Sequence, residues 1–459
     1  MSHKLNNNLN VLIFPSGSGV AKEIFDALKY IRWITIFGMD SDKNNFSAYE
    51  INNLITEAPF IKEPVKVIDF LIVNIKKYNI DCIYPAFDNI IVFLKHFEKE
   101  LNVKIITSPL DTCEICFSKL KTYNLFENII RVPKIININT IETKKDNDGV
   151  NDGVNDIVNN IIQFPVFIKP ECGYGSRDSY KIMNMEQLDF YMKIVPKPII
   201  CEYLPGKEYT VDCFTSINNG LIYCEARERK KIVNGLAVLT EHIDIPNVKE
   251  IANMINNKLK FIGCWFFQVK YASNSQICLL EIAPRISGAS ALHRNMGANF
   301  PLLSIYEHFG MSIDSIKCNN YELSCYKCVE NRFISNISYN YAYIDLDDTI
   351  IIKNKVNTKL IQLLYHMKNM NKNIILLSRN KSPIKLLDKY LISEKLFNKI
   401  IIVNTNINTN IKVKKSKYIE HIDAVFIDDS YEERNDVTTT LNIPVFNCDM
   451  VNVLFDEKL

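Results

Sequence analysis

The chain has 459 residues, of which 47% are hydrophobic and 23% are charged, and its formal net charge is +2. This composition is typical of a globular protein with length for about three domains. Acidic and basic residues are interleaved, so neither a nucleic acid nor an anionic membrane is an expected partner. The N-terminus lacks the apolar run of a signal peptide, and no stretch is apolar enough to span a membrane. We therefore expect a cytoplasmic protein that acts on small molecules, with homo-oligomerisation left open.

The thirteen cysteines are scattered through apolar contexts, which predicts reduced and mostly buried thiols. Two CxxC pairs, Cys113 with Cys116 and Cys325 with Cys328, together contain enough thiols for a zinc site. The pairs are far apart in the chain and lack the turn glycines of a zinc knuckle. Chance spacing is therefore the preferred interpretation.

The N-terminal part alternates strands and helices. A strand and glycine turn, "NVLIFPSGSG", precede an amphipathic helix and a second strand, "WITIFGMD". Two further strands and helices continue the pattern to about residue 110. This alternation predicts a Rossmann-like, doubly wound α/β domain over residues 1–112.

A tetrapeptide is repeated almost three times in "NDGVNDGVNDIV", residues 147–158. Its Asn, Asp and Gly residues favour turns, so we interpret it as an expanded surface loop. A calcium-binding repeat is the alternative, although nothing at this length fixes a loop around an ion.

The segment "FPVFIKPECGYGSRDSYKI" combines a strand that ends at Lys169 with a loop that contains Gly173, Gly175 and Ser176. Glycines let backbone N–H groups close over phosphates, and a lysine at a strand end adds positive charge. A plain β-hairpin is the alternative. The segment therefore predicts a phosphate-binding loop only in combination with the motifs that follow.

Two more strands supply acids and backbone groups for a nucleotide. In "IICEYLPGKEYTVDCFT" the strand edge near Glu202 offers backbone groups to adenine, and Glu208, beyond a Pro-Gly break, can accept ribose hydroxyls. Gln268 and Glu281 end two successive strands farther along the chain, on the same side of the predicted sheet. Their oxygens suit Mg²⁺ held against a phosphate tail, and Arg285 is expected over the reacting phosphoryl group.

The order of these motifs resembles the ATP-grasp superfamily, in particular its carbamoyl phosphate synthetase-like members. The likeness places an ATP-grasp domain at residues 113–325 and implies an ATP- and Mg²⁺-dependent ligase that joins a carboxylate to an amine through an acyl phosphate. Three positions depart from the pattern, namely Ser118, Asp178 and Ala283. The resemblance implies that Lys119 and Lys169 bind phosphates, that Glu202, Tyr203 and Leu204 form the adenine edge, that Glu208 binds ribose, that Gln268 and Glu281 bind the metal, and that Arg285 stabilises the transferred phosphoryl.

We expect residues 225–235, "EARERKKIVNG", and Arg294 to recognise the substrate. Arg227 and Arg229 occupy alternate positions of a strand, so both side chains can point at one anionic substrate. A solvated basic edge is the alternative.

The C-terminal part, residues 338–459, reads as five strands joined by helices, which predicts a second parallel sheet. "YAYIDLDDTI", the strand-end serine of "IILLSRN", a lysine and "VFIDDS" follow one another as in the haloacid dehalogenase (HAD) superfamily of phosphatases. The spacing leaves no room for a cap domain. This resemblance implies Asp345 as nucleophile and metal ligand, Asp347 as acid, base and metal ligand, Thr349 and Ser378 as substrate contacts, Lys415 or alternatively Lys417 as the phosphate cation, and Asp428 or Asp429 as a ligand of a second Mg²⁺ site.

Together these features predict a bifunctional enzyme, a ligase fused to a capless phosphatase that acts on a phosphomonoester. Biosynthesis of a surface polysaccharide component or a small metabolite is the suggested context. Two alternatives stay open: an active ligase with a C-terminal docking module, and a nucleotide-binding regulator without turnover.

Overall fold

The computed structural model describes residues 8–137, 162–173, 175–328, 330–403 and 413–455. The chain divides into two compact units, Met1–Val329 and Glu330–Lys458. The predicted surface loop at residues 147–158 lies outside the described residues. No described helix has the length and apolar character needed to cross a membrane.

The first unit begins with a five-stranded parallel sheet of order β3-β2-β1-β4-β5. Its central strand β1 is almost entirely buried, as expected for a strand covered on both faces. The predicted doubly wound α/β character of this region is confirmed. The elements are β1 (Leu9–Phe14), α1 (Gly19–Leu28), β2 (Ile34–Met39), α2 (Ser47–Glu50), β3 (Asn53–Ile55), α3 (Pro64–Tyr78), β4 (Cys82–Pro85), α4 (Asp88–His96), α5 (Glu98–Leu101) and β5 (Lys104–Ile105).

A three-stranded antiparallel sheet of order β7-β6-β8 follows two short helices. The second helix starts at Lys119 because Ser118 caps it: the Ser118 hydroxyl accepts a hydrogen bond from the Lys121 amide. A serine at this position thus performs the capping that an aspartate also performs. The elements are α6 (Leu110–Phe117), α7 (Lys119–Phe126), β6 (Val166–Pro170), β7 (Tyr180–Ile182), α8 (Met185–Ile194) and β8 (Pro198–Glu202).

A six-stranded antiparallel sheet of order β13-β12-β9-β10-β11-β14 completes the first unit. One face carries the apolar side chains of alternate residues, such as Val211, Trp265 and Phe267, and packs on the helix α9. The other face carries polar residues of the same strands, such as Thr210 and Gln268, together with Phe214 and Cys264, which pack in an apolar cluster with the N-terminal strands. The elements are β9 (Glu208–Ser216), β10 (Gly220–Val233), β11 (Leu236–Ile243), α9 (Val248–Lys258), β12 (Gly263–Tyr271), β13 (Ile277–Ala283), α10 (Ala291–Met296), α11 (Phe300–His308) and β14 (Ser324–Tyr326).

The cysteines are free thiols, as expected for a reduced protein. Cys113 and Cys116 are buried in α6, whereas Cys325 lies on β14 and Cys328 is exposed. Within the described part of the chain, no group of cysteines has the geometry of a metal site.

The second unit contains five parallel strands in the order β19-β18-β15-β20-β21, which confirms the predicted parallel sheet. Between β19 and β20 the described residues form only a short 3-10 turn, Lys415–Tyr418, where a helix was expected. The elements are β15 (Tyr341–Ile344), β16 (Ile351–Ile352), β17 (Lys355–Val356), α12 (Thr358–Asn369), β18 (Asn373–Ser378), α13 (Pro383–Lys389), β19 (Lys399–Ile402), β20 (Ala424–Ile427), α14 (Tyr431–Leu441) and β21 (Val445–Phe446), with further 3-10 turns at Glu394–Leu396 and Val451–Leu454.

Candidate active sites

A cleft in the first unit encloses about 780 Å³ of empty space, part of it open to solvent. Its walls come from the three-stranded sheet, the start of α7 and the six-stranded sheet. Most of the residues predicted to bind nucleotide and metal line it, although they come from distant parts of the sequence. These are Lys119, Lys169, Gly173, Ser176, Glu202, Tyr203, Leu204, Glu208, Gln268 and Glu281.

Glu281 and Gln268 face each other across neighbouring strands. The register pairs Gln268 of β12 with Glu281 of β13 on one side and with Thr210 of β9 on the other. The next pair along β12 and β13 is Val269 with Leu279, so Leu280 is an extra residue that forms a β-bulge. Leu279 therefore packs in the apolar core, while Glu281 lines the cleft.

Two lysines bring positive charge to the cleft. The Lys169 ammonium is buried and donates a hydrogen bond to the Tyr123 hydroxyl at 2.7 Å, and that hydroxyl donates to the Leu280 carbonyl at 2.8 Å. Burial acts to lower the pKa of Lys169, but Tyr123 and the nearby Glu281 carboxylate outweigh it and raise the pKa overall. Burial lowers the pKa of Lys119, whose ammonium donates to the Gly173 carbonyl at 3.1 Å.

The predicted adenine edge lies at the end of β8. The Glu202 carboxylate is bound by Arg131, with Nη2 at 3.0 Å, and by the Lys134 amide at 3.1 Å. The side chain of Glu202 is thus engaged by protein groups. Apolar side chains next to this edge make a slot suited to a flat base: Phe167, Leu204 and Leu280.

Glu208 lies between two cations. Arg229 approaches one carboxylate oxygen at 2.8 Å, and Lys270 lies 3.6 Å from the other. Lys270 lines the cleft and was missed in the sequence. Strand alternation was the available signal, because Lys270 stands two residues after Gln268 and therefore faces the same side.

The structure does not bring the three arginines predicted to bind substrate together. Arg227 is only 2% exposed, and its Nε donates to an Asp212 oxygen at 2.8 Å. Burial acts to raise the pKa of Asp212, but the attraction of Arg227 outweighs it and holds the pKa well below the usual range. Arg227 therefore lies neither beside an open substrate surface nor on a solvated edge. Arg294 instead donates to the Glu23 carbonyl of α1 at 2.9 Å.

Arg285 is bound by an acid from the N-terminal region. Its Nε and Nη2 donate to the two carboxylate oxygens of Asp88 at 2.8 and 2.6 Å, and its guanidinium lies over the Phe266 ring. Although burial acts to lower the pKa of Arg285, Asp88 and Glu281 raise it overall. Asp88 begins α4, and no motif in the sequence pointed to it.

A second polar centre lies at the ends of the strands of the second unit. The buried Lys415 ammonium donates hydrogen bonds to Asp345 and, at 2.6 Å, to Asp428. Lys417 is exposed, so of the two predicted lysines it is Lys415 that lies between these acids. Burial, opposed by Lys415, raises the pKa of Asp345 to about 7.

The carboxylates of this centre suit a metal. Oxygen atoms of Asp345, Asp428 and Asp429 lie within 4.8 Å of one another, and hard oxygen donors are what Mg²⁺ prefers. The buried Thr349 hydroxyl lies 3.4 Å from an oxygen of Asp345 and from one of Asp429.

The remaining predicted residues of this centre flank the carboxylates. Asp347 is exposed, and the Asn380 amide group donates to both its oxygens at 3.2 Å. Ser378 is fully buried, and its hydroxyl accepts from the Asn380 backbone amide at 3.0 Å. Asn380 was missed in the sequence, where only its neighbour Ser378 was singled out.

Comparison with known proteins bears on the first unit. Residues 195–325 match the family described as "ATP-grasp in the biosynthetic pathway with Ter operon". A comparison with curated proteins gave no match.

Solved structures resemble the chain at low sequence identity. Biotin carboxylase from Campylobacter jejuni, in a complex with β,γ-ATP, is 16% identical with a TM-score of 0.54, over 68% of this chain and 73% of that one. N5-carboxyaminoimidazole synthetase from Staphylococcus aureus, complexed with ADP, is 18% identical with a TM-score of 0.54, over 69% and 81%. An L-amino acid ligase from Bacillus licheniformis is 14% identical with a TM-score of 0.51, over 68% and 76%. At these identities the likeness establishes the fold.

Proposed function

Because the first unit has the fold of ATP-grasp enzymes, we propose that it is an ATP-dependent ligase that joins a carboxylate to an amine through an acyl phosphate. The observation that carries this proposal is the cleft in which Lys119, Lys169, Gln268 and Glu281 converge beside Glu208. Two cations and two paired oxygen donors suit a triphosphate, and a carboxylate next to them suits ribose.

Each part of the nucleotide has a complementary group in the cleft. The backbone after Glu202 and the apolar slot hold the base, and Glu208 accepts from ribose. Lys119 and Lys169 attract the phosphates. The oxygens of Gln268 and Glu281 fit Mg²⁺, which neutralises phosphate charge when bound. Since only one of these two ligands is charged, we expect weak metal binding without nucleotide.

The chemistry needs two displacements. An oxygen of the substrate carboxylate attacks the γ-phosphorus, and ADP leaves with the electrons of the broken P–O bond. The amine nitrogen then attacks the acyl carbon, inorganic phosphate leaves, and the nitrogen loses a proton. Arg285 is suited to balance charge on the transferred phosphoryl, and Asp88 holds its guanidinium in one orientation.

Acceptor-dependent ADP release tests the ligase. Purified protein is mixed with Mg²⁺, ATP and panels of carboxylates and amines, with the carboxylate labelled by ¹⁸O in any pair that reacts. The proposal expects one label atom in the released phosphate and loss of turnover in Glu281→Ala. Tight ATP binding without turnover on any pair supports the nucleotide-binding regulator instead.

A second activity, phosphomonoester hydrolysis, is proposed for the second unit. The contact of Lys415 with both Asp345 and Asp428 supports it, because a buried cation between two acids suits a phosphoryl group beside a metal. Asp345 attacks the phosphorus and the alcohol leaves with a proton from Asp347. Asp347 then takes a proton from the water that hydrolyses the aspartyl phosphate.

Phosphate release from generic phosphomonoesters tests this second site. Activity is expected to vanish in Asp345→Asn and Lys415→Met, whereas Lys417→Met, the exposed control two residues away, keeps it. Activity that survives in Asp345→Asn contradicts the nucleophile, and no activity in the wild type favours a docking module. With both activities present, a biosynthetic route to a surface polysaccharide component or small metabolite is the suggested context.

A further inference from the structure

A single arginine joins the predicted ribose acid to a neighbouring hairpin turn. The Nη1 atom of Arg229 lies 2.8 Å from Oε1 of Glu208. Its Nη2 atom donates a hydrogen bond to the carbonyl oxygen of Gly235 at 2.7 Å. The Arg229 side chain is only 6% exposed, so water competes little for these contacts and the guanidinium has one fixed orientation.

The turn that receives Arg229 is itself fixed. Gly235 has a φ of +76°, and a Cβ atom there would lie 2.2 Å from the carbonyl oxygen of Gly175. Only glycine tolerates both the backbone conformation and this close approach. The turn between β10 and β11 thus rests on the glycine loop, whose residues Gly173 and Ser176 line the cleft. Arg229 is therefore anchored to a turn that is packed in place.

The two oxygens of Glu208 have different surroundings. Oε1 is held by the buried Arg229, while Oε2 lies 3.6 Å from the ammonium of Lys270, beyond hydrogen-bond distance. Glu208 and Lys270 are cross-strand partners and both line the cleft. Oε2 is therefore the oxygen with capacity to accept a hydrogen bond from a ligand hydroxyl.

We propose that Arg229 is a positioning residue for nucleotide selection: it fixes Glu208 so that the carboxylate accepts from ribose without first having to be ordered. Holding an acceptor in its binding orientation lowers the entropy cost of binding. The site then discriminates against nucleotides that lack ribose hydroxyls. This inference rests on the proposed function of the cleft, and it gives Arg229 a role other than contact with the carboxylate substrate.

Binding of two nucleotides in the presence of Mg²⁺ tests the inference. Calorimetric Kd values are measured for ATP and 2′,3′-dideoxy-ATP, and their ratio reports ribose discrimination. A hydrogen bond to a charged group makes this ratio about tenfold or more in the wild type. Glu208→Gln is expected to bring it close to one. Arg229→Met is expected to lower it several-fold while the affinity for dideoxy-ATP changes little.

Two further variants separate positioning from general stability. Arg229→Lys keeps the charge but cannot bind Glu208 and Gly235 together in this way, so it is expected to restore the ratio in part. Lys230→Met is the matched control, because Lys230 is the next residue on the strand and pairs with Glu241 at 2.7 Å, away from Glu208. The control is expected to keep the wild-type ratio.

The outcomes distinguish this inference from the proposed function. If Arg229→Met weakens both nucleotides equally, the ratio is unchanged and the positioning role is overturned, while the nucleotide site stands. If the wild type binds no ATP, the nucleotide site and the positioning role are both overturned. Dideoxy-ATP binding also shows that a variant is folded, and Arg229→Lys provides the test if Arg229→Met does not fold.

Discussion

Asp88 and Arg285 form a two-point ion pair between residues 197 positions apart in the chain. Their side chains are 13% and 12% exposed, so each charge would be costly to bury alone. We expect Asp88→Ala to lower the free energy of unfolding by about 3 kcal/mol, because it leaves the guanidinium unpaired.

The double variant Asp88→Ala/Arg285→Met provides the control for this pair. It leaves no unpaired charge, so we expect it to be more stable than the sum of the two single changes indicates. Denaturant unfolding of the four proteins measures the coupling. Simple additivity would show that the two side chains act independently.

Tyr123 is expected to orient Lys169 toward the phosphates. Its hydroxyl accepts from Lys169 and donates to the Leu280 carbonyl. Tyr123→Phe removes both bonds and keeps the ring, so we expect ATP affinity to fall roughly threefold to tenfold, which corresponds to one hydrogen bond of about 1 kcal/mol. ATP titration measures this change. Tyr271→Phe, in the edge-to-face pair with Tyr209, is the control, and an equal loss there would contradict a specific role.

Ser118 is expected to hold the start of α7 and thereby Lys119. Its hydroxyl accepts from the Lys121 amide at 3.1 Å and donates to Glu171 at 2.5 Å. Ser118→Ala should cost about 1 kcal/mol of stability, the usual loss for an N-cap. Ser118→Asp restores the acceptor for the Lys121 amide but places a second carboxylate beside Glu171. We therefore expect incomplete recovery of the melting temperature, and full recovery would show that capping alone matters.

Asp345 gives the second unit a specific dependence on pH. Burial raises its pKa to about 7, against about 3.9 in an unfolded chain. The folded state thus favours the protonated form of Asp345. The contribution of this protonation to the free energy of unfolding is complete below about pH 4 and is lost as the pH rises through 7. Without metal, we expect Asp345→Asn, which mimics the protonated acid, to raise the melting temperature more at pH 8 than at pH 5.

Thermal unfolding in a chelating buffer measures that difference, with Asp423→Asn as an exposed control. At pH 8 the free energy of unfolding of Asp345→Asn is expected to exceed that of the wild type by roughly 2–4 kcal/mol. A gain of the same size at both pH values would show that it does not come from titration of Asp345. Added Mg²⁺ should reduce the advantage of the variant, since the metal favours the ionised wild-type carboxylate.

Residues that follow a strand's alternation were accessible from sequence, and residues fixed by contact between distant segments were not. Gln268 and Glu281 were predicted on one side of a sheet, and the register places them opposite each other. Alternation also put Arg227 and Arg229 on one face. It carries no information about what covers that face, and Arg227 is buried against Asp212.

The sequence could not predict a long-range ion pair, or which of two nearby lysines is buried, because both depend on contacts between distant segments. Asp88, the first residue of α4, meets Arg285, two residues past the end of β13, only because the fold brings these distant segments together. Lys415 and Lys417 lie in one short segment whose sequence does not show which of them is buried, and the fold of the 3-10 turn buries the first and exposes the second.

The bulge at Leu280 makes the number of residues in β13 as important as their identity. In a regular strand Leu279 and Glu281 would point to the same face. Here Leu279 packs in the apolar core, whereas Glu281 lines the cleft. Deletion of Leu280 would remove a single apolar side chain and still turn either the leucine or the glutamate to the wrong face. Relatives that carry out the same chemistry should therefore tolerate substitutions at this position far better than changes in length.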